Sequence, residues 1–377
     1  MASIKQVVSD LFKQADITVN GARPGDIIVH DDAFYSRVLK DGSLGLGESY
    51  MDGQWDCNNL DIFIQKVLLA DLENKVPKNF ATLKHYLHAV LTNQQTKKRA
   101  WHVGQKHYDI GNDLYTKMLD ETMFYSCGYW KDAKTLHESQ LAKVDLICRK
   151  LGLKKGDKVL DIGCGWGGFG RYACKKYGII YTGITVSKEQ KKYIDEKNKG
   201  LKSTVILDDY RNLTEQYTNY FDAIVSIGMI EHVGYKNYKT YMKIAHKVLK
   251  DGGKFLLHTI GGLKSVTHSE AWITKYIFTN SMLPSVAQLG KAIEPYFVME
   301  DWHNFGPDYD KTLMQWYARF NAAWPQLTKN NPKYDERFKR MWNYYLLACA
   351  GSFRARKNQL WQIVLSKNPS GEYISVR

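Results

Sequence analysis

The sequence predicts an α/β protein in which a mostly parallel sheet carries helices on both faces, preceded by a smaller α+β N-terminal domain. Apolar strand-like runs alternate with helical patterns from about Leu136 onward. A glycine-rich turn joins the first of these strands to the next helix. Residues 1 to about 92 lack this alternation, and 377 residues are enough for two domains.

The N-terminal part, residues 1–92, combines helical patterns with two short strand-like runs. Helices are predicted near residues 2–15, 60–72 and 78–92, and strands in "DIIVH" and "FYSRVL". The first helix is amphipathic, and its apolar face is formed by Ile4, Val7, Val8, Leu11 and Phe12. Residues 93–108 hold four lysines or arginines and no acid, which predicts a basic linker. Residues 109–377 then form the second domain.

The regular alternation in the second domain begins with the helical pattern "LHESQLAKVDLICRKLGL", at Leu136. Strands are predicted near residues 158–163, 179–185, 203–208, 221–227 and 254–261. Helical patterns separate them, including "KNYKTYMKIAHKVLK" before the last strand. This order predicts crossover connections and parallel pairing.

The segment "VLDIGCGWGGFG", which begins at Val159, places a glycine-rich loop where such sheets bind nucleotides. A dinucleotide-binding loop requires an acid about 20 residues further on, at the end of the second strand. That strand, "GIIYTGITVS", contains no acid, and the acid stands instead before the glycines, at Asp161. "LDIGCGWG" resembles motif I of the class I S-adenosylmethionine-dependent methyltransferases. In that family the loop surrounds the methionine part of the cofactor, and a residue after the third strand lies beside the adenine.

Composition restricts the partners and the compartment. The net charge of +14 and a pI of about 9.2 favour anionic partners, either nucleic acid or anionic lipid. No run of 18 apolar residues predicts a transmembrane helix, and the N-terminal residues do not resemble a signal peptide. Six cysteines without a C-x-x-C pair predict a reducing cytoplasm and no metal site.

Base methylation is not expected, because the motifs that it commonly uses are missing. The chain has no Asp/Asn-Pro-Pro-Tyr turn after the fourth strand, and no cysteine follows a proline. That position reads "SIGMIEHVG" and holds Glu231, while the next strand, "LLHTIGG", holds His258 and Ile260. Upstream, an aromatic-rich segment contains Cys127. Each residue also has a structural explanation: a buried thiol for Cys127, a core histidine for His258 and a helix cap for Glu231.

Taken together, these segments resemble the cyclopropane-fatty-acyl-phospholipid synthases over nearly all 377 residues. The motifs that carry the resemblance are "GESYMDGQWDCNNLD", "HYDIGNDLY", "YSCGYW", "LDIGCGWGG", "GITVSKEQ", "SIGMIEHVG", "LLHTIG" and "FGPDYDKTLMQW". The resemblance implies transfer of a methylene from S-adenosylmethionine to a cis double bond of a phospholipid acyl chain. It further implies a carbocation and a bound bicarbonate that removes the proton.

The resemblance also assigns residues to the site. It implies a bicarbonate cage made by Cys127, Glu231, His258, Ile260 and Tyr309. It implies a cofactor site made by Tyr125, Ser126, Asp161, Gly163, Gly165, Trp166, Gly167, Thr185, Ser187, Gln190, Tyr210 and Arg211. The aromatic residues of residues 109–377 are expected to line an acyl-chain pocket.

The implied partners are a bilayer of unsaturated phospholipids, favoured by anionic lipid, and a second copy in a homodimer. The N-terminal domain is expected to dock on one of these, and Lys97, Lys98 and Arg99 are candidates for lipid attraction. We expect a cytoplasmic protein peripherally bound to the inner face of the cell membrane, with no nucleic acid partner. Two alternatives remain open: an acyl-chain methyltransferase of the same family without ring closure, and a basic nucleic-acid-binding module.

Overall fold

The computed structural model describes residues 3–72, 75, 112–213 and 215–377, with Asn330 described by its backbone alone. The predicted helix at 78–92 and the basic linker at 93–108, including Lys97, Lys98 and Arg99, lie outside the described residues. None of the described helices is both long and apolar enough to cross a membrane.

The helices of the described residues are numbered in chain order. They are α1 (Ile4–Lys13), α2 (Ala33–Met51), α3 (Leu60–Leu69), α4 (Asn112–Met118), α5 (Leu136–Leu151), α6 (Gly168–Tyr177), α7 (Lys188–Lys197), α8 (Tyr238–Val248), α9 (Ala271–Tyr276), α10 (Val286–Ile293), α11 (Pro307–Asn330) and α12 (Glu336–Arg354). Short 3-10 turns follow the third and fourth long strands at Tyr210–Asn212, Ile230–His232 and Tyr235–Asn237.

The strands form one large sheet and one two-stranded ribbon. They are β1 (Ile28–Val29), β2 (Trp55–Asp56), β3 (Lys158–Ile162), β4 (Ile180–Thr185), β5 (Ser203–Leu207), β6 (Phe221–Ile227), β7 (Leu249–Gly262), β8 (Val298–Asn304) and β9 (Asn358–Ser366). The large sheet has the order β5-β4-β3-β6-β7-β9-β8. Pairing is parallel from β5 through β7, and β8 and β9 are antiparallel.

Helices cover both faces of this sheet because successive strand residues point to opposite sides. Val159 packs into a cluster with residues of α5 and α6, whereas its neighbour Leu160 packs with residues of α8 and α10. Leu256 and Leu257 of β7 divide between the same two clusters. The predicted fold class is confirmed. The predicted strands agree within one residue, except that β7 begins earlier, at Leu249.

Helix α5 has sequence signals at both ends. Thr135 accepts a hydrogen bond from the Glu138 amide, and the Glu138 carboxylate accepts one from the Thr135 amide, which forms a capping box. Gly152 ends the helix in the left-handed conformation, with φ of 65°. These caps fix the position of α5 along its axis, and they thereby fix the positions of its buried side chains.

The described residues divide into two compact units whose boundaries differ from the predicted domains. The first unit comprises residues within 1–92 together with 268–279 and 309–358. Its core needs C-terminal residues, because α12 packs on α2 and α3. Arg354 of α12 binds Asp61 of α3 and Asp310 of α11. The second unit holds the rest of the described chain, including the large sheet. The assignment of a docking role to the N-terminal domain stays a prediction.

Two local predictions in the first unit have different outcomes. The strand in "DIIVH" is confirmed, since β1 pairs antiparallel with β2. The strand predicted in "FYSRVL" is wrong, because this segment lies in α2, where Phe34, Tyr35 and Val38 are buried at helical spacing. In α1 the predicted apolar face is only partly covered: Val8 and Phe12 are buried, whereas Ile4 is 50% exposed.

Candidate active site

The glycine-rich loop connects β3 to α6, and three of its glycines adopt a backbone conformation that other residues rarely adopt. Gly163, Gly165 and Gly167 have φ of 81°, 52° and 71°, a region that residues with a Cβ adopt at a cost. A Cβ on Gly163 would lie 3.0 Å from the Met229 side chain, and one on Gly167 2.9 Å from Ile194. A Cβ on Gly165 would meet nothing within 4 Å. The loop is therefore closely packed at both ends and open at Gly165, which suits a ligand held against the main chain.

Asp161 lies in β3, beneath this loop, and is only 2% exposed. Its Oδ2 accepts a hydrogen bond of 2.9 Å from the Tyr181 hydroxyl. Burial raises the pKa of Asp161 to about 7, although the Tyr181 hydroxyl opposes the shift. The contact with Tyr181 supports a role inside the fold, and the predicted cofactor contact of Asp161 stays a prediction.

The polar residues at the end of β4 form one hydrogen-bonded group. The Thr185 hydroxyl donates to Gln190 Oε1 at 2.7 Å and accepts from the Ser187 amide at 3.1 Å. Ser187 caps α7 by accepting from the Gln190 amide. The buried Nε2 of Gln190 has no hydrogen-bond partner among the described residues. Three predicted cofactor residues thus meet here, and Gln190 Nε2 is available to donate a hydrogen bond to a ligand.

The residues after β5 are held by internal contacts. The Tyr210 ring is buried against Tyr241, with ring centroids 5.0 Å apart. The Arg211 guanidinium donates from Nε and Nη2 to Asp209, at 2.7 and 2.6 Å. Asp209 therefore orients Arg211, while the adenine contacts of Tyr210 and Arg211 stay predictions.

Glu231 and Ile260 are in direct contact across the ends of β6 and β7. Glu231 Oε1 accepts a hydrogen bond of 2.8 Å from the Ile260 amide, so the carboxylate does not cap a helix. Burial raises the pKa of Glu231 to about 7, and the Ile260 amide acts in the opposite direction. Glu231 Oε2 is buried without a hydrogen-bond partner within the described ranges. One carboxyl oxygen is thus fixed and the other is available.

His258 precedes Ile260 by two residues on β7, so both side chains lie on one face of the strand. Nδ1 lies 3.4 Å from Gln362 Nε2, and the buried Nε2 has no partner in the described part of the chain. Burial holds the pKa of His258 well below its usual range, and the charges of Lys143 and Lys150 add to the effect. A neutral histidine with an open ring nitrogen is therefore present beside the Glu231–Ile260 pair.

The segment that carries Tyr125, Ser126 and Cys127 is held against α5 by hydrogen bonds to Ser126. The Tyr125 ring contacts Tyr115 at 5.2 Å between centroids, and Tyr115 contacts Trp166 of the glycine-rich loop at 5.3 Å. Cys127 is fully buried, with Sγ 3.1 Å from the Gly128 carbonyl oxygen. Two predicted cofactor residues, Tyr125 and Trp166, are thus joined by an aromatic ring that the sequence did not single out.

Tyr309 belongs to the first compact unit, whereas the other four predicted cage residues belong to the second. Its ring packs against Phe353 and Trp316, with centroids 4.6 and 6.0 Å away. Its part in the cage stays a prediction. Over the described ranges, no group of three or more His, Cys, Asp or Glu side chains is placed to hold a metal ion.

Comparison with known proteins identifies the family. Residues 95–363 match the family described as "Mycolic acid cyclopropane synthetase". The chain is 55% identical over 362 residues to "Cyclopropane-fatty-acyl-phospholipid synthase" of Escherichia coli (strain K12), covering 96% of this chain and 93% of that relative. The chain belongs to the cyclopropane synthase family. The predicted resemblance is confirmed, and the chain is an S-adenosylmethionine-dependent methyltransferase.

Two further relatives extend the comparison. "Probable fatty acid methyltransferase" of Pseudomonas putida is 36% identical over 272 residues, covering 69% of this chain and 68% of that relative. The crystal structure of "mycolic acid cyclopropane synthase CmaA1 complexed with SAH and CTAB" aligns with a TM-score of 0.64 at 32% identity, covering 71% of this chain and 98% of that one. The cofactor product bound in that cyclopropane synthase agrees with the predicted cofactor class.

The raised pKa of Glu231 predicts how the stability of the protein depends on pH. The native side chain keeps its proton up to about pH 7, whereas the unfolded side chain loses it near 4.5. The native state therefore binds more protons in this interval, and the free energy of unfolding falls as the pH rises through it, by at most about 3 kcal/mol for this group. Glu231→Gln removes this loss. Urea unfolding at about pH 5 and about pH 7 measures it.

Glu189→Gln, at an exposed position of α7, is the matched control and is expected to keep the pH dependence of the unchanged chain. An equal loss of stability in the Glu231→Gln chain and the unchanged chain over this interval would contradict the prediction.

Proposed function

We propose that this chain is a cyclopropane-fatty-acyl-phospholipid synthase, which transfers a methylene from S-adenosylmethionine to the cis double bond of a phospholipid acyl chain. The observation that carries the proposal is the 55% identity to the Escherichia coli enzyme of that name over 96% of the chain. The reaction proceeds through a carbocation on the acyl chain, and a bound bicarbonate is the base that closes the ring.

The residues around the glycine-rich loop suit the cofactor. S-adenosylmethionine supplies an electrophilic methyl carbon on a positively charged sulfur. The open backbone at Gly165 leaves room for its methionine part, and the spare Gln190 Nε2 offers it a donor. The aromatic row of Tyr125, Tyr115 and Trp166 adds ring faces, which tolerate a cation without attacking it.

The unpaired atoms of Glu231 and His258 suit a small anion. Bicarbonate supplies a base that accepts one proton from the bridging carbon. A carboxylate beside this anion would repel it, so a proton has to lie between them. Burial raises the pKa of Glu231 to about 7, so the side chain holds a proton for much of the time at neutral pH. We infer that Glu231 orients the anion through Oε2 while the Ile260 amide holds Oε1.

A second candidate is an acyl-chain methyltransferase without ring closure. The relative from Pseudomonas putida named as a probable fatty acid methyltransferase favours it, since it is 36% identical. Both reactions need the same cofactor and a cationic acyl chain, so the residues described above do not separate them. Membership in this family gives the nucleic-acid-binding alternative no support.

A product assay tests the proposed function. The purified chain is incubated with methyl-labelled S-adenosylmethionine and vesicles of cis-unsaturated phospholipid. We expect the label in the acyl chains, and we expect proton NMR to identify a cyclopropane ring. A methyl or methylene branch would favour the second candidate, and unlabelled acyl chains would contradict both.

The role of Glu231 gives a kinetic prediction. Glu231→Gln keeps a hydrogen-bonding side chain but cannot pass on a carboxyl proton. We expect ring formation to fall by about 100-fold or more, the usual contribution of a positioned acid or base. Turnover with the same vesicles measures it, and Glu189→Gln is the control. Near-normal turnover of the Glu231→Gln chain would refute the assignment.

Peripheral binding to an anionic inner leaflet, homodimer formation and a docking role for the N-terminal domain are parts of the same proposal. With a net charge of +14, attraction to anionic lipid is expected to contribute about 1 kcal/mol per Lys or Arg at the surface. Vesicle flotation should therefore show binding that weakens as salt rises past about 0.1 M. Replacing Lys97, Lys98 and Arg99 by Gln should weaken it further.

The control removes equal charge at the exposed positions Lys192, Lys197 and Lys199. Salt-independent flotation would argue against the electrostatic part of the proposal, and equal losses in the two triple variants would argue against a special role of Lys97, Lys98 and Arg99.

A further inference from the structure

Lys143 of α5 is a buried ammonium group that the proposed chemistry leaves unused. Its side chain is fully buried, and no carboxylate of the described residues lies within ion-pair distance of its Nζ. Moving an unpaired charge from water into a protein interior is costly. A lysine in such a position therefore has to be stabilised by the groups that it contacts.

The contacts of Lys143 concentrate on the segment that precedes Cys127. Its Nζ donates to Ser126 Oγ at 2.8 Å and to Gln140 Oε1 at 2.6 Å, and lies 3.8 Å from the centre of the Phe124 ring. Gln140, one turn earlier on α5, donates from Nε2 to the Ser126 carbonyl at 2.9 Å. Two side chains of one capped helix thus hold both the carbonyl and the hydroxyl of Ser126.

The direction of the bond to Ser126 depends on the protonation of Lys143. The protonated ammonium group has only donors, so in this form the Ser126 hydroxyl accepts from Lys143. The hydroxyl proton therefore points elsewhere, and no described residue accepts it. Ser126 is also one of the residues that the family resemblance assigns to the cofactor. Its hydroxyl is consequently a prepared donor, polarised by the charge behind it.

The positive charge also acts on the neighbouring predicted site residues. Burial lowers the pKa of Lys143 to about 7, and the negative forms of Cys127 and Asp120 oppose this shift. Lys143 in turn helps to keep the pKa of His258 low. The electrostatic effect of Lys143 thus extends from Ser126 to the cage residues, and an anion bound there would favour the protonated lysine.

We propose that Lys143 is a positioning residue that acts through Ser126 to present a fixed hydroxyl donor to a carboxylate-type anion in the active site. Two sources provide this chemistry: the carboxylate of the cofactor's amino-acid part, and bicarbonate. The inference rests on the proposed function, because that function brings both anions to this site.

A double-mutant cycle measured by binding tests the proposal without relying on turnover. Calorimetry with S-adenosylhomocysteine compares the unchanged chain, Lys143→Met, Ser126→Ala and the double variant. We expect Lys143→Met to weaken binding by about 10- to 100-fold, as for the loss of a hydrogen bond to a charged group. In the Ser126→Ala background the same change should have little further effect. Methylthioadenosine, which lacks the carboxylate, should bind all four chains equally.

A second measurement tests whether the anion held by Ser126 is bicarbonate. Carbon-13 NMR of labelled bicarbonate follows its binding to the same four chains. Coupled losses confined to bicarbonate support the proposal and assign the anion to bicarbonate. Additive effects, or unchanged binding of both ligands by Lys143→Met, would overturn it.

Lys150 provides the matched control, since it is a buried lysine on the same helix. Its Nζ pairs with Asp301 at 3.2 Å and lies 3.1 Å from His303 Nδ1. Lys150→Met should lower stability and leave the affinity for S-adenosylhomocysteine unchanged. If Lys143→Met does not fold, Lys143→Gln retains a neutral donor and should show a smaller, still coupled loss; an uncoupled loss again overturns the proposal. A chain that binds ligands as expected but forms no ring refutes the proposed function alone.

Discussion

Exclusion of water from the carboxyl edge of the parallel sheet is the condition on which the candidate site depends. Asp161, Glu231, His258 and Lys143 are at most 6% exposed. Burial disfavours the charged form of each group, so it raises the pKa of the two acids and lowers the pKa of the two bases. Burial at this edge therefore shifts all four groups toward their neutral forms. An environment of this kind suits the proposed reaction, in which water would capture a cation on the acyl chain.

The fold produces this dryness by packing aromatic rings onto glycines beside the site. A Cβ on Gly170 of α6 would lie 2.6 Å from the Tyr181 ring, and one on Gly261 of β7 would lie 2.0 Å from Trp361. No other residue type leaves room for these rings. At the open positions of the loop the glycine serves a different purpose, because the backbone at Gly165 faces free space. Glycine thus closes the interior at some positions and opens the edge at others.

Features that depend on neighbours in sequence were predictable, and features that depend on distant packing were not. Strands β3 to β7 and the glycine-rich loop follow from local patterns, and the structure agrees with them, whereas β8 and β9 were not predicted. The segment "FYSRVL" indicates a strand as readily as a helix, because so short an apolar run fits both periodicities. Only packing inside the first unit decides that Phe34 and Val38 share a helical face. Likewise, no local signal shows that α12 completes a core begun by α3.

Lys143 illustrates how a functional residue escapes a search by residue type. It stands on the buried stripe of α5, with Leu136, Gln140 and Ile147 at helical spacing, and the spacing alone indicates that it points inward. Hydrophobic patterns treat a lysine as solvent-facing, and family motifs emphasise the segment that it supports. The usable signal was the conflict between a polar residue type and an apolar position.

The unpaired polar atoms at the sheet edge have an energetic cost that a ligand can remove. Glu231 Oε2, His258 Nε2 and Gln190 Nε2 are buried without partners among the described residues, and each such atom costs about 1–3 kcal/mol. A free side chain would rotate to find a partner. These cannot turn freely, because the Ile260 amide holds Glu231 and the Thr185 hydroxyl holds Gln190. A ligand that satisfies these atoms gains that energy without having to order the side chains. Hydrogen bonds to these fixed atoms are thus the source of the affinity that we propose for the edge.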